Sequence, residues 1–222
     1  MRTNIEEDGV KRMEKLEEKF EKLGVIPVVA IEDAKNAAAL GEALIAGGLP
    51  CAEITFRTAA AQESIRTLVD KYPEMLVGAG TVLTVEQAQQ AVDAGARFLV
   101  TPGFDETVVT WSLQADVPIF PGVVTPTEIN MALNHGLNIL KFFPAEAMGG
   151  VSTLKAIAGP YSKVRFIPTG GINLQNLPDY LALPAVVACG GSWLVKKSLI
   201  AAGEFETITR LAAEAVRIGV KK

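Results

Sequence analysis

The chain alternates between two hydrophobic rhythms. Short apolar runs rich in β-branched residues occupy positions 25–31, 51–55, 76–79, 98–101, 117–120, 138–142, 164–168 and 186–189. Their length and continuous apolarity predict strands covered on both faces. Between them lie Ala-rich stretches with helical periodicity, such as 34–46, 59–71 and 85–94. Strands alternating with helices predict βαβ units and a parallel sheet. Eight such units predict an α/β fold, a (β/α)8 TIM barrel, as one domain over 25–222. An open doubly wound sheet is the rival, but no Gly-x-Gly-x-x-Gly follows the first run.

Residues 1–24 have a different texture. Positions 6–23 are dense in Glu, Lys and Arg, and Val10, Met13, Leu16, Phe20 and Leu23 recur at spacings of three and four. That pattern predicts an amphipathic helix. It is expected either to plug the bottom of the barrel or to add an assembly surface.

Composition narrows the classes. Hydrophobic residues make up 49% and charged residues 21%, enough apolar material for a globular core. A net charge of −4 offers nucleic acid no basic face. No apolar run is long enough for a membrane-spanning helix, and the start, Ile5-Glu6-Glu7-Asp8, lacks the basic and apolar regions of a signal peptide. Cys51 and Cys189 lie in apolar runs and read as buried reduced thiols, which points to the cytoplasm. His135, the one histidine, reads as a helix C-terminal turn. One histidine and two distant cysteines leave no cluster for zinc, and neither a metal nor a cofactor is expected.

The candidate chemistry collects at the strand ends. Lys141 stands in Ile139-Leu140-Lys141-Phe142-Phe143. An ammonium among aliphatic and aromatic groups is costly to desolvate, and the neutral amine is the form that adds to a ketone carbonyl. The bland alternatives are a lysine snorkelling at a strand end or one paired with a buried acid. Glu53 follows Cys51-Ala52 inside another apolar run and is suited to shuttle protons, or to pair with Arg57 or Lys141. Arg57 and Thr81 have donors fit for a substrate carboxylate, although Arg57 alone reads equally well as a solvated loop residue. Thr169-Gly170-Gly171 and Gly190-Gly191-Ser192 end the seventh and eighth runs, where barrels often hold phosphate. Each is expected to open a short helix and present backbone N–H groups to an anion.

These segments, in this order and spacing, resemble the bacterial 2-keto-3-deoxy-6-phosphogluconate (KDPG) aldolase family, which includes 4-hydroxy-2-oxoglutarate aldolase. The resemblance rests on Ala52-Glu53-Ile54-Thr55-Phe56-Arg57-Thr58, Val77-Gly78-Ala79-Gly80-Thr81-Val82, Thr101-Pro102-Gly103, Leu140-Lys141-Phe142-Phe143-Pro144-Ala145-Glu146, Pro168-Thr169-Gly170-Gly171 and Gly190-Gly191-Ser192-Trp193. It implies a class I aldolase with Lys141 as Schiff-base lysine and Glu53 as general acid/base. It implies Arg57 and Thr81 at the pyruvate carboxylate, Pro102 and Phe143 in the pocket wall, and Thr169, Gly170, Gly171, Gly191 and Ser192 around the phosphate. The reaction implied is cleavage of KDPG to pyruvate and glyceraldehyde 3-phosphate, and of 4-hydroxy-2-oxoglutarate to pyruvate and glyoxylate, by a homotrimer. One departure stands out: some members carry an arginine at the end of the first strand, where this chain reads Val29-Ala30-Ile31-Glu32-Asp33. Two other readings stay open. One is a metal-free phosphosugar isomerase or epimerase; the other is an aldolase-derived scaffold that serves a larger assembly through its N-terminal helix.

Overall fold

The computed structural model describes residues 4–219, with side chains from residue 12 onward. The side chain of Val10, named above for the helix's apolar face, and residues 220–222 of the expected domain lie outside what is described.

The apolar runs become parallel strands: β1 (Val25–Val29), β2 (Cys51–Thr55), β3 (Leu76–Gly80), β4 (Leu99–Val100), β5 (Ile119–Phe120), β6 (Gly122–Val123), β7 (Ile139–Phe142), β8 (Arg165–Pro168) and β9 (Cys189–Gly191). The helices are α1 (Asn4–Leu23), α2 (Ala37–Ala46), α3 (Ala61–Lys71), α4 (Val85–Asp93), α5 (Glu106–Gln114), α6 (Pro126–Asn134), α7 (Gly150–Ala158), α8 (Leu177–Leu181), α9 (Lys197–Ala201) and α10 (Phe205–Gly219). The result is an α/β fold of parallel strands interleaved with helices. One sheet runs β5-β4-β3-β2-β1-β9 and the other β6-β7-β8. Bridges Phe166↔Val186 and Thr169↔Gly190 connect the second sheet towards β9. Pro121 separates β5 from β6 because it has no N–H for the ladder, yet its carbonyl still accepts the Lys141 N–H at 2.9 Å.

Several strand limits differ from the apolar runs. The first run stops pairing at Val29, and Ala30 and Ile31 stay buried without a ladder. The last begins at Cys189 and extends through two glycines, while Val186 lies outside it, in an isolated bridge to Phe166. Apolar sequence reports burial, and buried residues flank strands as well as fill them. The stretch expected as one helix from 34 starts as a 3-10 turn, Ala34–Asn36, with the Asp33 carboxylate accepting the Lys35 N–H at 3.0 Å, before α2 takes over.

Alternation along the strands sorts their side chains between two cores. Cys51, Leu76, Phe98, Val100, Phe120, Ile139 and Ile167 share one cluster with Leu16 and Phe20 of α1. Ala52, Ile54, Val77, Ala79, Leu140 and Phe142 belong to the other, against the surrounding helices. Phe20 is fully buried between Phe98 and Phe120, at ring distances of 5.3 and 5.4 Å in edge-to-face contact. Arg165, at the start of β8, holds α1 in place through Glu17 (2.9 Å) and Glu21 (2.5 Å). Burial raises the Glu17 carboxyl above its ordinary value against the pull of Arg165, and neighbouring Glu21 and Glu14 add to the rise. Among the described residues, no helix is long and apolar enough to cross a membrane.

Candidate active site

The period of two that puts Ile139 in the inner cluster sends Lys141 the same way. Likewise Cys51 leads to Glu53. Lys141 is 4% exposed and Glu53 is 2% exposed, and Lys141 Nζ lies 3.3 Å from Glu53 Oε1. The Nζ also sits 5.2 Å from the centre of the Phe143 ring. Both sequence readings of the lysine therefore meet in one arrangement: it is paired with a buried acid, and it is held inside the strands. Burying the two charges carries a desolvation penalty that the pairing offsets only while both partners are present.

Glycines make the room. A Cβ on Gly80 would collide with the Glu53 carboxyl, one on Gly78 with the Phe98 ring, and one on Gly122 with the Pro102 backbone. Gly78 is the register partner of Glu53, and Gly122 that of Lys141. On one flank, therefore, each member of the pair stands opposite a strand position that carries no side chain.

The other expected residues lie just after the strand ends and make no hydrogen bond with this pair. Arg57 is exposed two residues beyond β2, and its Nε–H donates to Thr55 Oγ1 at 3.2 Å. Thr81 follows β3 with φ of +54°, a left-handed conformation that a β-branched residue adopts only under strain. Pro102 follows β4, where Thr101 Oγ1 donates to Gly103 O (2.7 Å) and accepts the Gly122 N–H (3.3 Å).

The Thr169-Gly170-Gly171 turn is stapled to the segment after β7. Ala145 N–H donates to Thr169 O (2.8 Å), and Glu146 N–H to Gly170 O (3.1 Å). The Gly171 carbonyl accepts from the Asn173 (3.4 Å) and Asn176 (3.2 Å) side chains. Three successive carbonyls are thereby occupied, while no acceptor among the described residues takes the N–H of Gly170 or Gly171. Both glycines have positive φ, +100° and +82°, which side-chain-bearing residues resist. A Cβ on Gly190 would collide with the Thr169 hydroxyl, so the two glycine turns lie against each other.

The expectation that each turn opens a helix needs correction at the first. The chain from Gly171 reaches α8 only at Leu177, because Asn173 and Asn176 build local turns that compete with helix: Asn173 N–H to Asn176 Oδ1 at 2.8 Å and Gln175 N–H to Asn173 Oδ1 at 2.9 Å. The second turn does lead directly into a 3-10 turn, Trp193–Val195.

Sequence reasoning missed three polar residues near the site. Thr55 is fully buried beside Arg57. Thr101 closes the turn after β4. The Tyr180 hydroxyl donates to the Glu146 carboxylate; burial first, and then this bond, push the phenol well above its ordinary range. The available signal was a threonine at an apolar strand's end, which local pattern alone does not distinguish from a β-former. His135 does cap α6, packed near Phe104. Cys51 and Cys189 are both buried, as expected. Burial, and then Glu53, raise the Cys51 thiol, against Lys19.

Comparison with known proteins places the chain among the aldolases, lyases that act on a carbon–carbon bond. The chain belongs to the KDPG and KHG aldolase family, whose model matches residues 16–211. It is 51% identical over 201 residues to a 2-dehydro-3-deoxy-phosphogluconate aldolase of Treponema pallidum, covering 90% of this chain and 96% of that one. A solved KDPG aldolase structure from Legionella pneumophila, with pyruvate captured as a covalent carbinolamine, is 42% identical with a TM-score of 0.85, covering 87% and 94% of the two chains. The 2-keto-3-deoxy-6-phosphogluconate aldolase of Zymomonas mobilis with 3-phosphoglycerate is 39% identical with a TM-score of 0.85, covering 93% and 96%.

Proposed function

We propose that the chain cleaves KDPG to pyruvate and glyceraldehyde 3-phosphate through a Schiff base on Lys141, and 4-hydroxy-2-oxoglutarate to pyruvate and glyoxylate by the same route. The observation that carries this is the buried pair, Lys141 Nζ at 3.3 Å from Glu53 Oε1. Passing one proton from Nζ to the carboxylate turns two buried charges into two neutral groups, and the amine gains a free lone pair. The amine adds to the C2 carbonyl, and the carbinolamine loses water to leave an iminium. Glu53, once deprotonated, takes the proton of the C4 hydroxyl. The C3–C4 bond then breaks, its electrons pass to the iminium, and an aldehyde and an enamine result. Protonation at C3 and addition of water release pyruvate and restore the amine.

The surrounding residues take matching roles. Arg57 and Thr81 receive the keto-acid carboxylate, and Pro102 and Phe143 wall the pocket. The unclaimed N–H groups of Gly170 and Gly171, with Thr169, Gly191 and Ser192, receive the phosphate. The reading takes the strands as a closed eight-stranded barrel. It treats β5 and β6 as one strand interrupted at Pro121, and the bridge Thr169↔Gly190 and the β1–β9 pairing support closure. The core domain is 25–222, with the 1–24 helix across its N-terminal end. A homotrimer in the cytoplasm completes the reading, and exposed Leu83, Leu113 and Met131 supply apolar surface for subunit contact.

Borohydride reduction with pyruvate tests the chemistry. A stable adduct of pyruvate mass on the peptide holding Lys141 is expected. An unmodified lysine would remove the Schiff base and favour an isomerase reading, with Glu53 moving the proton.

A further inference from the structure

Thr55 ends β2 two residues before Arg57, and its side chain is completely shielded from solvent. We infer that its hydroxyl aims the Arg57 guanidinium, making Thr55 a positioning residue for recognition of the substrate carboxylate. The inference rests on the proposed carboxylate role of Arg57.

The direction of the hydrogen bonds carries the argument. A hydroxyl has one proton, and here it goes to the Val29 carbonyl at 2.7 Å. Only lone pairs then face Arg57, and one of them accepts the Nε–H at 3.2 Å. Fixing Nε in a planar guanidinium constrains its plane, and the N–H groups of both Nη atoms remain as an open fork. That fork matches a carboxylate in bidentate fashion. Arg57 is otherwise exposed, and a free arginine side chain there would lose much of its rotamer entropy on binding. Thr55 removes part of that loss before substrate arrives.

The backbone beneath does not depend on this hydroxyl alone. Thr58 Oγ1 donates to the Ile31 carbonyl at 2.5 Å, a second tie between the segment after β2 and the chain beyond β1. Replacing Thr55 by the isosteric valine therefore releases the guanidinium while the loop keeps an anchor.

Steady-state kinetics with KDPG on Thr55→Val, Thr55→Ser, Arg57→Gln and the Thr55→Val/Arg57→Gln double variant test the inference. Thr55→Val is expected to raise KM roughly tenfold, the scale of a hydrogen bond to a charged group, with kcat little changed. Thr55→Ser, which keeps the hydroxyl, restores KM. In the Arg57→Gln background Thr55→Val adds nothing further, because Thr55 acts through the arginine. Should the valine variant not fold, Thr55→Ala replaces it in the cycle. An additive penalty in the double variant, or an unchanged KM in Thr55→Val while Arg57→Gln raises it, overturns the positioning role and leaves the carboxylate role intact. An unchanged KM in Arg57→Gln overturns the carboxylate role and the inference together.

Discussion

Lys141 and Glu53 stand 88 residues apart in sequence and 3.3 Å apart in space, on strands β7 and β2. Neither is stable in that place alone, because each supplies the charge that makes the other's burial tolerable. The proposed chemistry and the stability of the interior therefore rest on the same pair.

Lys141→Ala is expected to abolish turnover and leave a folded protein. Glu53 then has no counter-charge, and breaking a buried pair costs about 3–5 kcal/mol. Adding Glu53→Gln to the variant should return part of that loss. Denaturant unfolding of the single and double variants measures it. A double variant weaker than the wild type by the sum of the two single-variant losses would mean that the pair is not coupled.

Glu53→Gln keeps the shape and removes the shuttle. Exchange of pyruvate methyl protons with deuterium and cleavage of KDPG should both slow, by roughly 10²–10⁴. Proton NMR follows the first and coupled detection of pyruvate the second. If both rates hold, a water or another group moves the protons.

Gly80→Ala probes the empty space. The added methyl would meet the Glu53 carboxyl. Displacement by about 1 Å is enough to cost roughly 10² in kcat. The loss in kcat should exceed that of a neighbouring outward change such as Ala79→Gly, although both variants fold. Equal kcat in the two would show that the carboxyl has freedom to move.

Acid stability should carry the mark of Glu128. Burial works to raise this carboxyl, but the Val124 N–H, the Thr125 hydroxyl and the Thr125 N–H, all at 2.8 Å, outweigh it, and the value falls below the ordinary 4.5. A depressed folded value stabilises the fold above the unfolded value. That contribution is lost as pH falls from about 4.5 through the folded value. Glu128→Gln keeps a neutral acceptor for the capping box but gives up the charge on these bonds, so it should unfold more easily near neutrality and lose less on acidification through that window. Melting temperatures across that pH range give the comparison; parallel curves would sink the assignment.

The sequence made some of this legible and hid the rest for physical reasons. Lys141 and Glu53 stood out because a charge inside an apolar run contradicts its surroundings. The strand rhythm was visible because burial on both faces leaves an unbroken apolar signal. The break at Pro121 was readable in principle, since proline cannot donate to a ladder. Thr55 was not, because its meaning lies in a bond to Val29, which is distant in sequence. The late start of α8 escaped for the same kind of reason: Asn173 and Asn176 act through side-chain bonds to one another's backbone. Hydrophobic pattern records which residues leave water; it says little about which polar groups find each other once they have.

The wedge of Phe20 between Phe98 and Phe120 has a bearing on the order of events in catalysis. With this ring cluster filling the N-terminal end of the strands, the proposed pocket opens at the opposite end, where reactants enter and products leave. The aldehyde, never tethered, is free to depart first, while the three-carbon half stays bonded to the chain until water arrives. In the synthetic direction the tethered half therefore waits for an aldehyde to arrive from solution.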